Sequence, residues 1–157
     1  MLKRSERPSR RRRGAVAVEF AIMAPVLLCI VLGLIELSRV YEVQNVLEIA
    51  AREGARFAAM DRTGMLGEGQ TGNAKLVNDV KGFLASQGID VDAIDVQVVR
   101  ADGSGQPFDI DDPANDLALF EVRVSVSYDA INVTPLLGGG GDGLTATMTF
   151  RNGKAIS

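Results

Sequence analysis

The chain has 157 residues, a net charge of −3, one cysteine and no histidine, which bounds it to one small domain plus whatever its N-terminal segment does. The absence of histidine removes the commonest general base and transition-metal ligand, and a lone Cys29 can form neither an intrachain disulfide nor a cysteine metal site, so an enzyme is disfavoured before any motif is sought. The charge is sharply divided: residues 1–13 hold seven Lys/Arg against Glu6, and the remainder carries ten bases against nineteen acids, a net of −9.

A basic tail of this kind can contact nucleic acid or anionic lipid. Here it abuts an apolar run and no basic, aromatic-interleaved surface follows it. Retention of the tail in the cytoplasm is therefore the simpler account, and nucleic acid is not an expected partner. From Ala15 to Ile35, 21 residues carry one charge, Glu19. At 1.5 Å per residue they span roughly 31 Å, the thickness of a hydrocarbon core, which predicts one transmembrane helix. Pro25 lies inside it and removes a backbone hydrogen bond. The Gly33-Leu34-Ile35-Glu36 sequence after the core offers no small-residue cleavage site, and Arg13-Gly14 stand where a twin-arginine signal wants apolar residues, so neither secretory signal fits. Cys29 reads as a small lipid-facing or packing residue. A carboxylate in hydrocarbon is disfavoured by about 2.5–3.5 kcal/mol at the helix centre and by less toward the ends. Glu19 therefore either snorkels to the cytoplasmic interface, pairing with Arg12 or Arg13, or has a use.

Beyond Ile35, the residues Leu37, Val40, Tyr41, Val43, Leu47, Ala50, Ala51, Gly54, Ala55 and Ala58 return at spacings of three and four, with charges on other faces. One helix is expected over 15–60, roughly 69 Å long, whose outer half is amphipathic and needs a surface to lie against. The small residues of AAREGARFAA (50–59) allow close approach to a sheet of the same chain, to a neighbouring subunit, or to both on opposite faces. Residues 64–73 read as a Gly-rich loop, and 74–88 as a short helix with Leu76, Val77, Val80, Phe83 and Leu84 on one face and Gly88 at its stop. Strands are expected in 89–100, in 117–130 with Phe120, Val122, Val124, Val126 and Tyr128 inward, and in 145–152 with Ala146, Met148 and Phe150 inward. The fold class is therefore α+β: a long N-terminal helix, transmembrane then amphipathic, packed on a small antiparallel sheet with one short extra helix.

Two loops separate the strands, 102–116 and the tetraglycine region 138–143. Asp109, Asp111, Asp112 and Asp116 invite a calcium reading, but Ala114 and Phe120 stand where an EF-hand wants Gly and Glu, so these are weak candidates and a solvated acidic loop is the simpler account. The tetraglycine lacks the Lys-Ser/Thr ending of a phosphate-binding loop, and Asn132-Val133-Thr134 matches the short glycosylation acceptor with little weight. No cofactor is expected.

The basic leader, Gly14, the long apolar helix with Glu19 and the small helix-plus-sheet domain together resemble type IV pilin-like proteins. More closely, GAVAVEFAIMAPVLLCIVLGLIELSRVY (14–41) and AAREGARFAA resemble the TadE-like pseudopilins of the tight-adherence (Flp) pilus system. The resemblance is strong over about 12–60 and general beyond, where YDAINVTPL and TATMTFRN are in keeping with it. It implies a non-enzymatic component of a pilus assembly machine, processed by a prepilin peptidase after Gly14 and before Ala15, with Glu19 and Phe20 as the fifth and sixth residues of the mature chain. It further implies that Glu19 pairs with the new amine of an adjacent subunit, and that the partners are the membrane, the peptidase, other pilins or pseudopilins and the assembly platform, with homo- or hetero-oligomers formed through the helix. On this view 1–14 is the leader, 15–36 the transmembrane helix, 37–62 its amphipathic extension and 63–157 the extracytoplasmic α+β domain of a single-pass inner-membrane protein, with the pilus at the cell surface as a second location the resemblance allows. The alternative is a permanently anchored extracytoplasmic binding domain for which the helix is only a tether and Gly14 is not cut.

Overall fold

A computed structural model describes residues 10–60, 62, 64–131 and 143–153. The chain divides into two units, Met1–Ser38 and Arg39–Ser157. Helix α1 (Arg10–Ala59) begins in the first and ends in the second. Its start lies inside the basic N-terminal segment rather than at Ala15, and Pro25 is accommodated within it. Among the described residues of the first unit no large apolar side chain is buried. Val16, Phe20, Ile22, Val26, Leu28 and Leu34 are all between 59% and 70% exposed.

The second unit is a three-stranded antiparallel meander, β1 (Ile94–Arg100), β2 (Leu119–Val126) and β3 (Leu144–Arg151), with β2 in the centre. The register sets Val96, Val124 and Ala146 in one row and Val98, Val122 and Met148 in the next. Because side chains alternate, all of these point to one face. Phe120, Val122, Val124 and Val126 of the central strand are fully buried. The cover on that face is the last third of α1, where Val43, Leu47, Ala50, Ala51, Ala55 and Ala58 are at most 2% exposed. The α+β arrangement anticipated from the sequence is the one observed, a helix laid on the sheet with one short extra helix.

That extra helix is α2 (Gly72–Ser86), which buries Leu76, Val80 and Leu84. Thr71 caps its start, accepting the Ala74 amide at 3.2 Å. Its end is a Schellman closure: Gly88 takes φ +82°, its amide donates to Ala85 O, and the Ile89 amide donates to Leu84 O. Ile89, read as the start of a strand, is instead the buried hydrophobic partner of this closure. An Asp90-capped 3₁₀ turn (Val91–Ala93) then delays β1 to Ile94. The space between α1 and α2 is set by Gly54, where a Cβ would stand 2.9 Å from Val80 Cγ2. The small-residue stretch 50–59 therefore serves packing within this chain.

Several expectations need correction. Leu37 and Tyr41 were placed on the docked face of α1, but they are 49% and 68% exposed and docking begins at Val43. Tyr128 is not in β2. Pairing to both neighbours ends at Val126, opposite Ile94 and Leu144, and Tyr128 turns into a 3₁₀ segment at the edge of the core. Phe83 lies at the rim of α2's buried face rather than within it. The 102–116 loop is not simply solvated. Gln106–Phe108 runs back along the free edge of β1, with Arg100 N donating to Gln106 O and Phe108 N to Val98 O, both at 2.9 Å. Phe108 and Ile110 are thereby buried, Phe108 stacking on Phe120 at 5.4 Å. The tetraglycine, Asn132-Val133-Thr134 and the residues before Arg10 lie outside the described residues.

Candidate functional site

Gly14, Ala15, Glu19 and Phe20 all lie on α1 and all are exposed. Nothing approaches within 4 Å of where a Cβ on Gly14 would stand. The Gly14–Ala15 peptide therefore sits in helical backbone that no tertiary contact holds, next to the residue type that destabilises a helix by about 1 kcal/mol relative to Ala. Glu19 makes no salt bridge among the described residues, and its pairing with Arg12 or Arg13 involves side chains outside them. Ala15 and Glu19 are four residues apart, one above the other on the same helix face. The first turn of α1 as it stands contains no acidic residue.

The helix from Gly14 on is long and apolar enough to cross a membrane; its apolar 18-residue window has a mean hydropathy of 2.6, and none of that window is buried in protein. Cys29, the free cysteine, is exposed on it. Phe20, Met23 and Leu27 flank Pro25, which cannot donate to the carbonyl four residues earlier.

The four aspartates of the acidic loop do not converge. Asp109 Oδ1 accepts from the Asp111 amide and Asp112 Oδ1 from the Ala114 amide, each at 2.9 Å, while Asp111 Oδ2 accepts from the amide of Gly72. Among the described residues no group of three or more His, Cys, Asp or Glu side chains is placed to hold a metal. Asp102, in the same connection, is held below the ordinary aspartate range by its hydrogen bonds from the Ser104 side chain and amide.

What the acidic loop does hold is Arg62, which pattern reading passed over because an arginine in an Asp-Arg-Thr-Gly turn looks solvated. Arg62 is fully buried. It donates through Nη1 to Ala58 O and through Nη2 to Ile110 O (2.6 Å), and its Nε lies 3.4 Å from Asp111 Oδ1. Its cation thus sits at the C-terminal end of α1, and the Asp111 carboxylate it faces sits at the N-terminal end of α2, so both helix dipoles are complemented at once. Asn152, at the exit of β3, is buried beside them and donates to Ile110 O and Asn115 O at 3.0 and 3.2 Å. Gly153 N donates to Ala58 O. This node ties the ends of both helices, the loop and the last strand together. The α1–α2 cleft, lined by Ala50, Gly54, Phe57, Met60, Val80 and Phe83, has a volume of about 250 Å³, with the Glu53–Arg56 and Lys75–Asp79 ion pairs beside it.

Neither a curated protein nor a solved structure matches the chain significantly. A family profile does match, over 43 of the 157 residues, beginning at Gly14 and ending within the docked part of α1. Residues 14–56, carrying Glu19, Phe20 and the exposed apolar helix, match the TadE-like protein family.

Proposed function

We propose that this chain is a pilin-like component of a tight-adherence pilus assembly system, non-enzymatic and anchored by a single membrane span before assembly, with a role in pilus biogenesis and surface attachment. The observation that carries this reading is the coincidence of three boundaries. The family match begins at Gly14, the uncharged apolar run begins at Ala15, and the carboxylate that hydrocarbon disfavours stands four residues later. A prepilin peptidase would hydrolyse the Gly14–Ala15 amide at the cytoplasmic face, leaving the carboxylate on Gly14 and a free α-amino group on Ala15. An α-amino group with an ordinary pKa near 7.7–8.0 is largely protonated at neutral pH. Burying that cation or the Glu19 anion alone in an assembly costs far more than burying the two together between adjacent subunits, which makes correct register a condition of assembly. Other pilins or pseudopilins and the assembly platform are the expected partners, with the domain outside the cytoplasm.

The test is the intact mass of the protein recovered from membranes of its native host. A chain beginning at Ala15 is expected, and Gly14→Leu should retain the leader. A chain that keeps its leader with a competent peptidase present would favour the permanent tether. If Glu19→Gln entered assemblies as well as wild type, the pairing role would be wrong.

A further inference from the structure

Leu34, Leu37 and Tyr41 are 60%, 49% and 68% exposed and follow at intervals of three and four along α1, so they share one face. The helix docks on the sheet from Val43, which is two residues on from Tyr41 and so about 200° around the helix from it. The core of the domain therefore leaves this face uncovered. The face is continuous instead with the all-round apolar surface of the preceding residues, and it ends in an amphipathic ring, the kind of side chain that concentrates at membrane–water boundaries because one end is apolar and the other wet. Counting along α1, Tyr41 lies six residues past Ile35, the last of the uncharged run, or about 9 Å. Helical side chains lean toward the N-terminus, which carries the ring back toward that run. A headgroup layer is roughly 5–8 Å deep on each side of the hydrocarbon, so the ring falls inside it. The polar groups nearby, including the Arg39–Glu42 ion pair at 3.1 Å, suit the same layer.

We propose that Tyr41, with Leu37 beneath it, is seated in the lipid headgroup layer on the domain's side of the membrane and sets the depth of α1. Glu19, 22 residues earlier and so about 33 Å along the helix, is thereby held near the opposite boundary. The proposal rests on the membrane-spanning reading above and adds to it a specific residue and a depth.

The chain has no tryptophan, so single Tyr41→Trp, Leu28→Trp and Ile49→Trp variants of the full chain each carry one reporter. In phosphatidylcholine vesicles containing lipids brominated at different depths, Tyr41→Trp should be quenched most by the shallowest bromine and roughly twofold or more above Ile49→Trp, while Leu28→Trp is quenched most by the deepest, as an interfacial aromatic and a spanning helix require. Quenching of Tyr41→Trp no greater than that of Ile49→Trp, whether its emission is that of water or of a protein-covered site, would overturn the anchoring role and leave the span intact. Absence of deep quenching at Leu28→Trp would overturn the span itself, and the anchor with it.

Discussion

Two stretches of one helix, 16–34 and 43–58, are both rich in apolar residues, yet they solve opposite problems. The first is apolar all round and built from large side chains, Val, Phe, Ile, Met and Leu, none of which the protein covers. The second, Ile49 apart, gathers its apolar residues along one stripe, and past Leu47 the buried part of that stripe is Ala and Gly. Large side chains arranged on every face suit a fluid solvent of lipid tails, which adapts to any shape. Small ones on a single face suit a fixed protein surface, because they let α1 lie close to α2 and the sheet. The size and distribution of apolar residues, more than their number, separate the two environments.

That comparison can be broken most directly at the junction that holds the docked half. Arg62→Met leaves Asp111 without its buried cation and the end of α1 without its cap, and it should destabilise the domain by about 3 kcal/mol, at the low end for breaking a buried pair because Asp111 is 30% exposed. Urea unfolding of the full chain in detergent, followed by a domain-specific probe, measures this, and a loss below 1 kcal/mol would show that the node is incidental. A matched pair of glycines tests the two halves against each other. Gly54→Leu must displace Val80 and should cost about 2–3 kcal/mol, typical of overpacking. Gly33→Leu meets nothing within 4 Å and should leave domain stability within about 0.5 kcal/mol of wild type. Equal effects would mean that the exposed half is also packed against protein.

The helix, its two characters and the inward faces of β2 and β3 were legible because each follows a simple period. Phe120 through Val126 alternate without interruption, and Val43 through Ala58 return at three and four. What period alone did not resolve was where an apolar residue on a continuing pattern stops being covered. Leu37 and Tyr41 keep the helical spacing, but the sheet does not extend to them. Phe108 and Ile110 were hidden for a different reason, since they lie in an aspartate- and glycine-rich connection that reads as surface and becomes core only by folding back along β1. Arg62 was illegible altogether, because its partners are backbone carbonyls and a carboxylate up to 49 residues away. At the candidate site, spacing and resemblance single out Gly14, Ala15, Glu19 and Phe20, which the structure places exposed on α1, whereas the local turns that Asp109 and Asp112 close have a geometry no composition encodes.

Smaller effects sharpen the picture in the domain's surface. Leu117 is held at φ +59° and is 56% exposed, so Leu117→Gly relieves left-handed strain without emptying the core and should raise stability by about 1 kcal/mol or less. Thermal denaturation of the pair decides it, and a loss of stability would mean that the leucine packs in a way its exposure hides. Asp102 sits below the ordinary aspartate range because of Ser104. A carboxyl whose pKa is depressed on folding contributes stability that is present above its unfolded value and lost as pH falls through the folded one. Ser104→Ala should therefore move the Asp102 titration upward and slightly flatten the acid limb of the stability profile, as read by NMR titration. An unmoved titration would remove Ser104 as the cause.

The central claim is that the first half of α1 is left bare by the protein because lipid covers it, and Cys29 tests this without any engineering of the segment. It is the single cysteine of the chain and is exposed on the helix surface, so nothing in the folded protein shields its thiol. In intact membranes a water-soluble maleimide should leave Cys29 unmodified, while the exposed Ser127→Cys site in a Cys29→Ala background labels readily from the domain's side. Labelling of Cys29 as fast as that surface cysteine would place the apolar half in water and contradict the account.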